Sequence, residues 1–132
     1  MGAGREASAN PSKTEGSLAE TKSLKSLGLD RAALLRLYRL MVFARLMDEA
    51  EVRLRRQQKT YFEISCAGHE AVQAAAALLL RPGRDWFYPY YRDRVLCLGL
   101  GVRPVDMLLQ SMGRAADPSS GGREMPAHYG SR

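Results

Sequence analysis

The residues best suited to chemistry lie in one run, Asp85-Trp86-Phe87-Tyr88-Pro89-Tyr90-Tyr91-Arg92-Asp93. An aromatic, strand-like stretch is stopped by a proline and delivers Tyr-Arg-Asp to the start of a helical segment. That order suits the capture of a phosphate. Arg presents a planar fork of donors that can grip two phosphate oxygens. Tyr adds a hydroxyl, and the free N–H groups of a helix start favour an anion. The competing reading is a buried aromatic strand in which Arg92 pairs with Asp93 or a neighbouring acid. Two histidines, His69 and His128, are the other proton carriers. His69 with Glu70 reads either as an acid/base pair or as a donor and acceptor satisfied at a buried helix start. Cys66 and Cys97 stand alone without metal-ligand spacing, which argues against zinc and fits a reducing cytosol.

The elements that must position these groups are mostly helical. Asp30 reads as the N-cap of a helix running to about Gln57. Its apolar stripe would be Leu34, Leu37, Tyr38, Met41, Val42, Leu46, Ala50 and Leu54. Glu49–Arg53 and Glu51–Arg55 would be (i, i+4) pairs on the wet side. The cluster Arg53, Arg55, Arg56 and Lys59 reads as a solvated helix end, with phosphate contact as the alternative. Thr60 to Ser65 is short, β-prone and alternating, hence extended. A second helix, His69 to about Leu80, is apolar nearly all round, which predicts full burial. Arg81-Pro82-Gly83 ends it. A short helix from Arg94 to Leu100 closes at Gly101, and Pro104 opens another with Met107, Leu108 and Met112 inward. Asp117 to Arg123 is a loop with strong turn chemistry.

The totals set bounds. A chain of 132 residues allows one small domain. Residues 1–27, rich in Ser, Ala, Gly, Lys and Thr, read as a disordered tail, and 28–132 as the domain. The net charge of +6 is spread along helices rather than clustered, which is weak support for nucleic acid. No apolar run approaches the ~20 residues needed to span a bilayer. The chain stops two residues after Gly130 without a closing element, and so reads as cut off within a domain.

Three motifs in order carry a family likeness: Gly68-His69-Glu70-Ala71, then Phe87 to Asp93, then Gly122-Arg123-Glu124-Met125-Pro126-Ala127-His128-Tyr129-Gly130. Over about residues 30 to 132 they resemble the N-terminal part of the α subunit or α half of thiamine-diphosphate-dependent 2-oxo acid dehydrogenases, the branched-chain type more closely than the pyruvate type. The resemblance implies a doubly wound α/β fold, of which this is a mostly helical N-terminal piece. It implies oxidative decarboxylation of a 2-oxo acid on thiamine diphosphate, with acyl transfer to a lipoyl group. It places Tyr91 and Arg92 on the cofactor diphosphate, Phe62, Tyr91 and His128 along the substrate pocket, and His128 at the active site as the catalytic histidine. A loop histidine making one structural hydrogen bond remains the alternative for His128.

The implied partners are a β subunit or β half and a lipoyl-bearing acyltransferase, in a cytoplasmic heterotetramer or fused homodimer, with neither nucleic acid nor membrane. The Gly-Asp-Gly…Asn segment with which the family holds Mg²⁺ does not occur here. The metal's ligands are therefore expected outside these residues, and the isolated piece is expected to be inactive. Two other classes stay open: a non-catalytic helical subunit-interaction fragment, and a basic helical nucleic-acid-binding module.

Overall fold

The computed structural model describes residues 26–129. Most of the tail expected over residues 1–27 lies outside that range. The chain forms two compact units, Met1–Leu35 and Arg36–Arg132. The described part of the first ends in the opening turn of a helix, where Asp30 Oδ1 accepts the Ala33 N–H at 2.6 Å. That is the N-cap expected from the sequence.

Four helices follow: α1 (Arg31–Arg56), α2 (Glu70–Leu79), α3 (Arg94–Gly99) and α4 (Pro104–Ser111). No strand occurs among the described residues. The segments 60–65 and 86–90, expected to be extended and strand-like, have no ladder. A strand needs a partner edge to satisfy its N–H and C=O groups, and none of the described segments supplies one. Residues 86–90 nevertheless alternate in exposure as a pleated chain would. Trp86, Tyr88 and Tyr90 are exposed, while Phe87 and Pro89 are half-buried.

Within the second unit the core face of α1 is not the expected stripe. Tyr38 is 64 % exposed and Leu46 is exposed too. The buried positions are Ala44, Met47, Asp48 and Glu51, with Leu37, Leu40 and Met41 packed beside them. The helix is rotated so that two acids face inward, and the reason is Arg94. This side chain is 1 % exposed, with Nε 3.0 Å from Asp48 Oδ1 and Nη2 donating to Glu51 Oε2. Glu51 was expected on the wet side with Arg55; a buried guanidinium draws it in instead. The Glu49–Arg53 pair forms on the surface at 3.9 Å.

The second helix also departs from expectation. Glu70, Gln73 and Ala74 are buried, but Val72 is 68 % and Leu79 is 80 % exposed. An apolar helix is buried only where another element covers it, and here one side alone is covered. That side packs on α3 at very close range. A Cβ built on Gly99 would lie 2.4 Å from Ala77 Cβ, so this approach requires glycine. Ala44, Cys66, Ala74 and Val95 form one core cluster, and Met47, Cys97 and Met107 form the next.

Candidate functional site

The Tyr-Arg turn is held from below by α2. Gln73, buried in that helix, donates from Nε2 to the Arg92 carbonyl at 2.8 Å. Its Oε1 accepts the N–H groups of Val95 at 3.1 Å and Leu96 at 3.3 Å. The first turn of α3 is thus capped by a side chain from another helix. Those amides are spent on Gln73 and are not free for an anion, contrary to the sequence expectation. Asp93, the N-cap residue, makes no side-chain cap; its carboxylate accepts the Tyr90 N–H at 2.8 Å instead. That leaves Arg92 without an acidic partner among the described residues.

Arg92 is exposed. Its Nη1 donates to the Ser65 carbonyl at 2.8 Å, and its guanidinium carbon lies 5.3 Å from the Tyr91 ring centroid. One edge of the fork is anchored and stacked, and the other edge stays open. The Tyr90 ring sits 4.0 Å from Tyr91 and 5.5 Å, edge-on, from His128. Tyr90 therefore joins the Tyr-Arg turn to the histidine, although 36 residues separate Arg92 from His128 in the chain.

The His128 loop is fixed from the other side by α4. Gln110, 1 % exposed, donates from Nε2 to the His128 carbonyl at 2.7 Å and accepts the Ala127 N–H at 2.9 Å. Ala127 takes a left-handed conformation, φ 67°, which a bulkier residue would resist. His128 Nδ1 lies 3.2 Å from the Met125 carbonyl and 3.3 Å from that of Pro126. Carbonyl oxygens only accept, so in the neutral ring Nδ1 carries the proton and Nε2 keeps a lone pair.

The loop before His128 is ordered by Asp117. Burial opposes ionisation there, but the Ser119 N–H, the Ser120 hydroxyl and the Gly122 N–H outweigh it and hold the carboxyl below its ordinary range. Gly122, at φ 76°, packs so tightly on Gly113 that any Cβ would lie 2.4 Å from its carbonyl carbon.

A cleft of about 970 Å³ opens beside the histidine, lined by Trp86, Phe87, Tyr88, Met125, His128 and Tyr129 among others. Tyr91, Arg92 and Phe62 do not line it. Phe62 is half-buried in a segment tied to the end of α4, where the Thr60 hydroxyl donates to the Ser111 carbonyl at 2.6 Å. No hydrogen bond or ring contact among the described residues links Phe62 to Tyr91, Arg92 or His128.

Glu70 is a structural group. Desolvation works against its charge, but the Arg45 guanidinium and the Gly68 N–H keep its carboxyl below the usual range. No three His, Cys, Asp or Glu side chains group to hold a metal among the described residues, and no helix there is long and apolar enough to cross a membrane.

Four polar anchors escaped the sequence reading: Gln73, Gln110, Asp117 and the Asp48–Glu51–Arg94 cluster. For Gln73 a signal existed, since it is the single polar residue after Glu70 in α2.

The family model described as "Dehydrogenase E1 component" matches residues 38–132, a span that holds Phe62, Tyr91, Arg92 and His128. The 2-oxoisovalerate dehydrogenase subunit alpha of Bacillus subtilis (strain 168) is 41% identical over 112 residues, covering 85% of this chain and 34% of that protein. The subunit of the same name from Pseudomonas aeruginosa is 36% identical over 104 residues, 79% of this chain and 25% of its own length. The 3-methyl-2-oxobutanoate dehydrogenase subunit alpha of Mycobacterium tuberculosis (strain ATCC 25618 / H37Rv) is 40% identical over 68 residues, 52% of this chain and 18% of that one. The chain spans about a third or less of the length of these relatives. On the match over residues 38–132 and these identities, the chain belongs to the dehydrogenase E1 component family.

Proposed function

We propose that the chain serves as the α-type part of a branched-chain 2-oxo acid dehydrogenase. That enzyme decarboxylates the acid oxidatively on thiamine diphosphate and passes the acyl group to a lipoyl carrier. The observation that carries this reading is the open edge of Arg92, exposed and without an acidic partner beside Tyr91, in a chain similar to 2-oxoisovalerate dehydrogenase alpha subunits. Arg92 Nε and Nη2 and the Tyr91 hydroxyl make no hydrogen bond within the described residues. These donors suit a diphosphate, whose oxygens take charge-assisted, bidentate bonds from Arg.

Thiamine diphosphate, when bound, supplies the electron sink for decarboxylation. This chain supplies grip and orientation. Arg92 and Tyr91 hold the diphosphate end. His128, with its proton on Nδ1, offers the Nε2 lone pair to a proton at the reacting end. Phe62 and Tyr91 would meet the acid's branched side chain in the complete enzyme, although neither lines the cleft beside His128 here. Mg²⁺ takes its protein ligands from residues outside the described ones. The complete domain is a doubly wound α/β fold of which residues 28–132 are the N-terminal entry. It assembles with a β subunit or β half and a lipoyl-bearing acyltransferase, as a cytoplasmic heterotetramer or fused homodimer. The exposed side chains of Val72, Leu79 and Trp86 suit burial against such neighbours.

The test is calorimetry on the complete assembly. Arg92→Ala should weaken thiamine diphosphate binding by about 1.5–3 kcal/mol, the worth of a hydrogen bond to a charged group. Unchanged affinity refutes the assignment.

A further inference from the structure

We propose that Gln73 and Gln110 are the positioning residues of this site, setting Arg92 and His128 through their main chains. The inference rests on the site reading above and adds two residues to it.

Both glutamines are almost wholly buried, beside Ala74 and Glu70 in α2 and beside Met107 and Ser111 in α4. A buried amide is costly unless both of its ends are bonded, and an aliphatic side chain would serve packing better. Both ends are bonded here, and in the same pattern. Each amide nitrogen donates to the carbonyl of a candidate site residue, Arg92 at 2.8 Å and His128 at 2.7 Å. Each amide oxygen accepts backbone N–H close by in the chain: Val95 and Leu96, three and four residues after Arg92, in one case, and Ala127, adjacent to His128, in the other. An amide meets both demands without carrying charge, whereas a carboxylate cannot donate and an ammonium cannot accept. The grips come from different helices, α2 and α4, so Arg92 and His128 have separate supports.

Both glutamines bond main-chain atoms and not the side chain each aims, so the effect passes through backbone placement. Gln110 also restrains the peptide at which Ala127 is left-handed, a conformation that costs energy for a residue with a Cβ. A residue that fixes geometry in this way is felt in turnover, since a misplacement of ~1 Å can cost ~100-fold.

The experiment uses the complete enzyme with four single variants, Gln→Leu and Gln→Glu at each position. Glutamate keeps the volume and the acceptor and, once ionised, loses the donor, so assayed up to alkaline pH it carries the test where leucine fails to fold. Hydrogen exchange and steady-state kinetics are read together. Gln110→Leu should speed exchange at Ala127, and both Gln110 variants should lower kcat by about 10–100-fold with thiamine diphosphate affinity held within about twofold. The Gln73 variants should do the reverse, weakening cofactor affinity about tenfold or more, with faster exchange at Val95 and Leu96 in the leucine protein. A role in stability alone would instead depress both readouts together, in step with Tm, and would overturn the proposal. So would Gln110→Glu with kcat within about twofold of the parent. His128→Ala and Arg92→Ala run alongside as references. If these are inert while exchange still changes, the site reading falls and the two grips remain as loop supports without a functional role. If they are damaging and exchange is unchanged, the site reading stands and this inference falls.

Discussion

Arg94→Met isolates the buried charges under the site. The guanidinium lies between Asp48 and Glu51, all three side chains nearly inaccessible. Its Nε is within ion-pair distance of Asp48 Oδ1, but the N–H does not point along that line, and Nη1 has no hydrogen-bond partner. The cluster is therefore held by charge more than by directed bonds. Removing Arg94 leaves two carboxylates in one dry site. Asp48 keeps the Ser65 hydroxyl at 2.7 Å and the Cys66 N–H at 2.9 Å on its other oxygen. Glu51 has little left beyond Ser111. Breaking a buried pair by deleting one partner costs about 3–5 kcal/mol, and methionine restores only volume.

The pH dependence fixes the cause. Burial already raises the Glu51 pKa above its unfolded value of ~4.3. A carboxyl of that kind favours the fold fully below its unfolded pKa, and the benefit is lost as pH rises through the folded one. Without Arg94 the folded value climbs further, so the deficit of the variant is greatest near pH 7.5 and shrinks towards pH 5 as Glu51 takes up a proton. Urea unfolding of parent and variant at matched concentration, followed by circular dichroism at both pH values, measures it. A loss under about 1 kcal/mol at pH 7.5, or one that grows on acidification, would refute the argument. Adding Glu51→Gln should recover part of the loss, because the two sites are coupled.

Gly99→Ala would drive a methyl to 2.4 Å from Ala77 Cβ. It should cost about 1–3 kcal/mol, with partial recovery in Gly99→Ala/Ala77→Gly, read by the same unfolding assay. Asp117 has a lowered folded pKa, since its backbone and Ser120 donors outweigh the cost of burial. Its stabilisation is therefore present above ~3.9 and fades as pH falls through the folded value; Asp117→Asn should flatten that acid limb of the Tm profile. Burial first, then the charge of Asp48 or Asp93, pushes the Cys66 and Cys97 thiols up to about 12. Neither should react with a disulfide reagent at pH 8 until urea exposes it. The same shift makes stability fall as pH rises above ~8.5 towards that value. Prompt labelling of the folded protein would count against both statements.

What the sequence made legible was local. Asp30 as a cap, Pro104 as a helix start, Gly101 as a stop and the helix limits within about two residues all follow from single-residue chemistry, and each stands in the structure. The face that α1 buries was not legible, because periodicity ranks residues by apolarity and cannot see a distant partner. Asp48 and Glu51 look like wet-side acids until Arg94, more than 40 residues on, is placed against them. The strand expectation failed for a related reason. Residues 86–90 carry β-prone, alternating side chains, yet whether they pair depends on an edge that no stretch of their own sequence encodes.

The same limit explains the candidate site. Tyr91, Arg92 and His128 could be put forward from the sequence because the chemistry proposed for them is in their side chains. What links them is Tyr90, tilted against Tyr91 and edge-on to His128, and two amides hold the neighbouring main-chain atoms. Backbone grips are close to invisible in a sequence, since any residue offers the same C=O and N–H to be held. One trace did remain. A lone glutamine in a run of alanine and leucine must find partners for both ends of its amide once that helix face is buried. A polar residue stranded in an apolar helix therefore points to the main chain it must be holding, and in α2 that main chain is the Tyr-Arg turn.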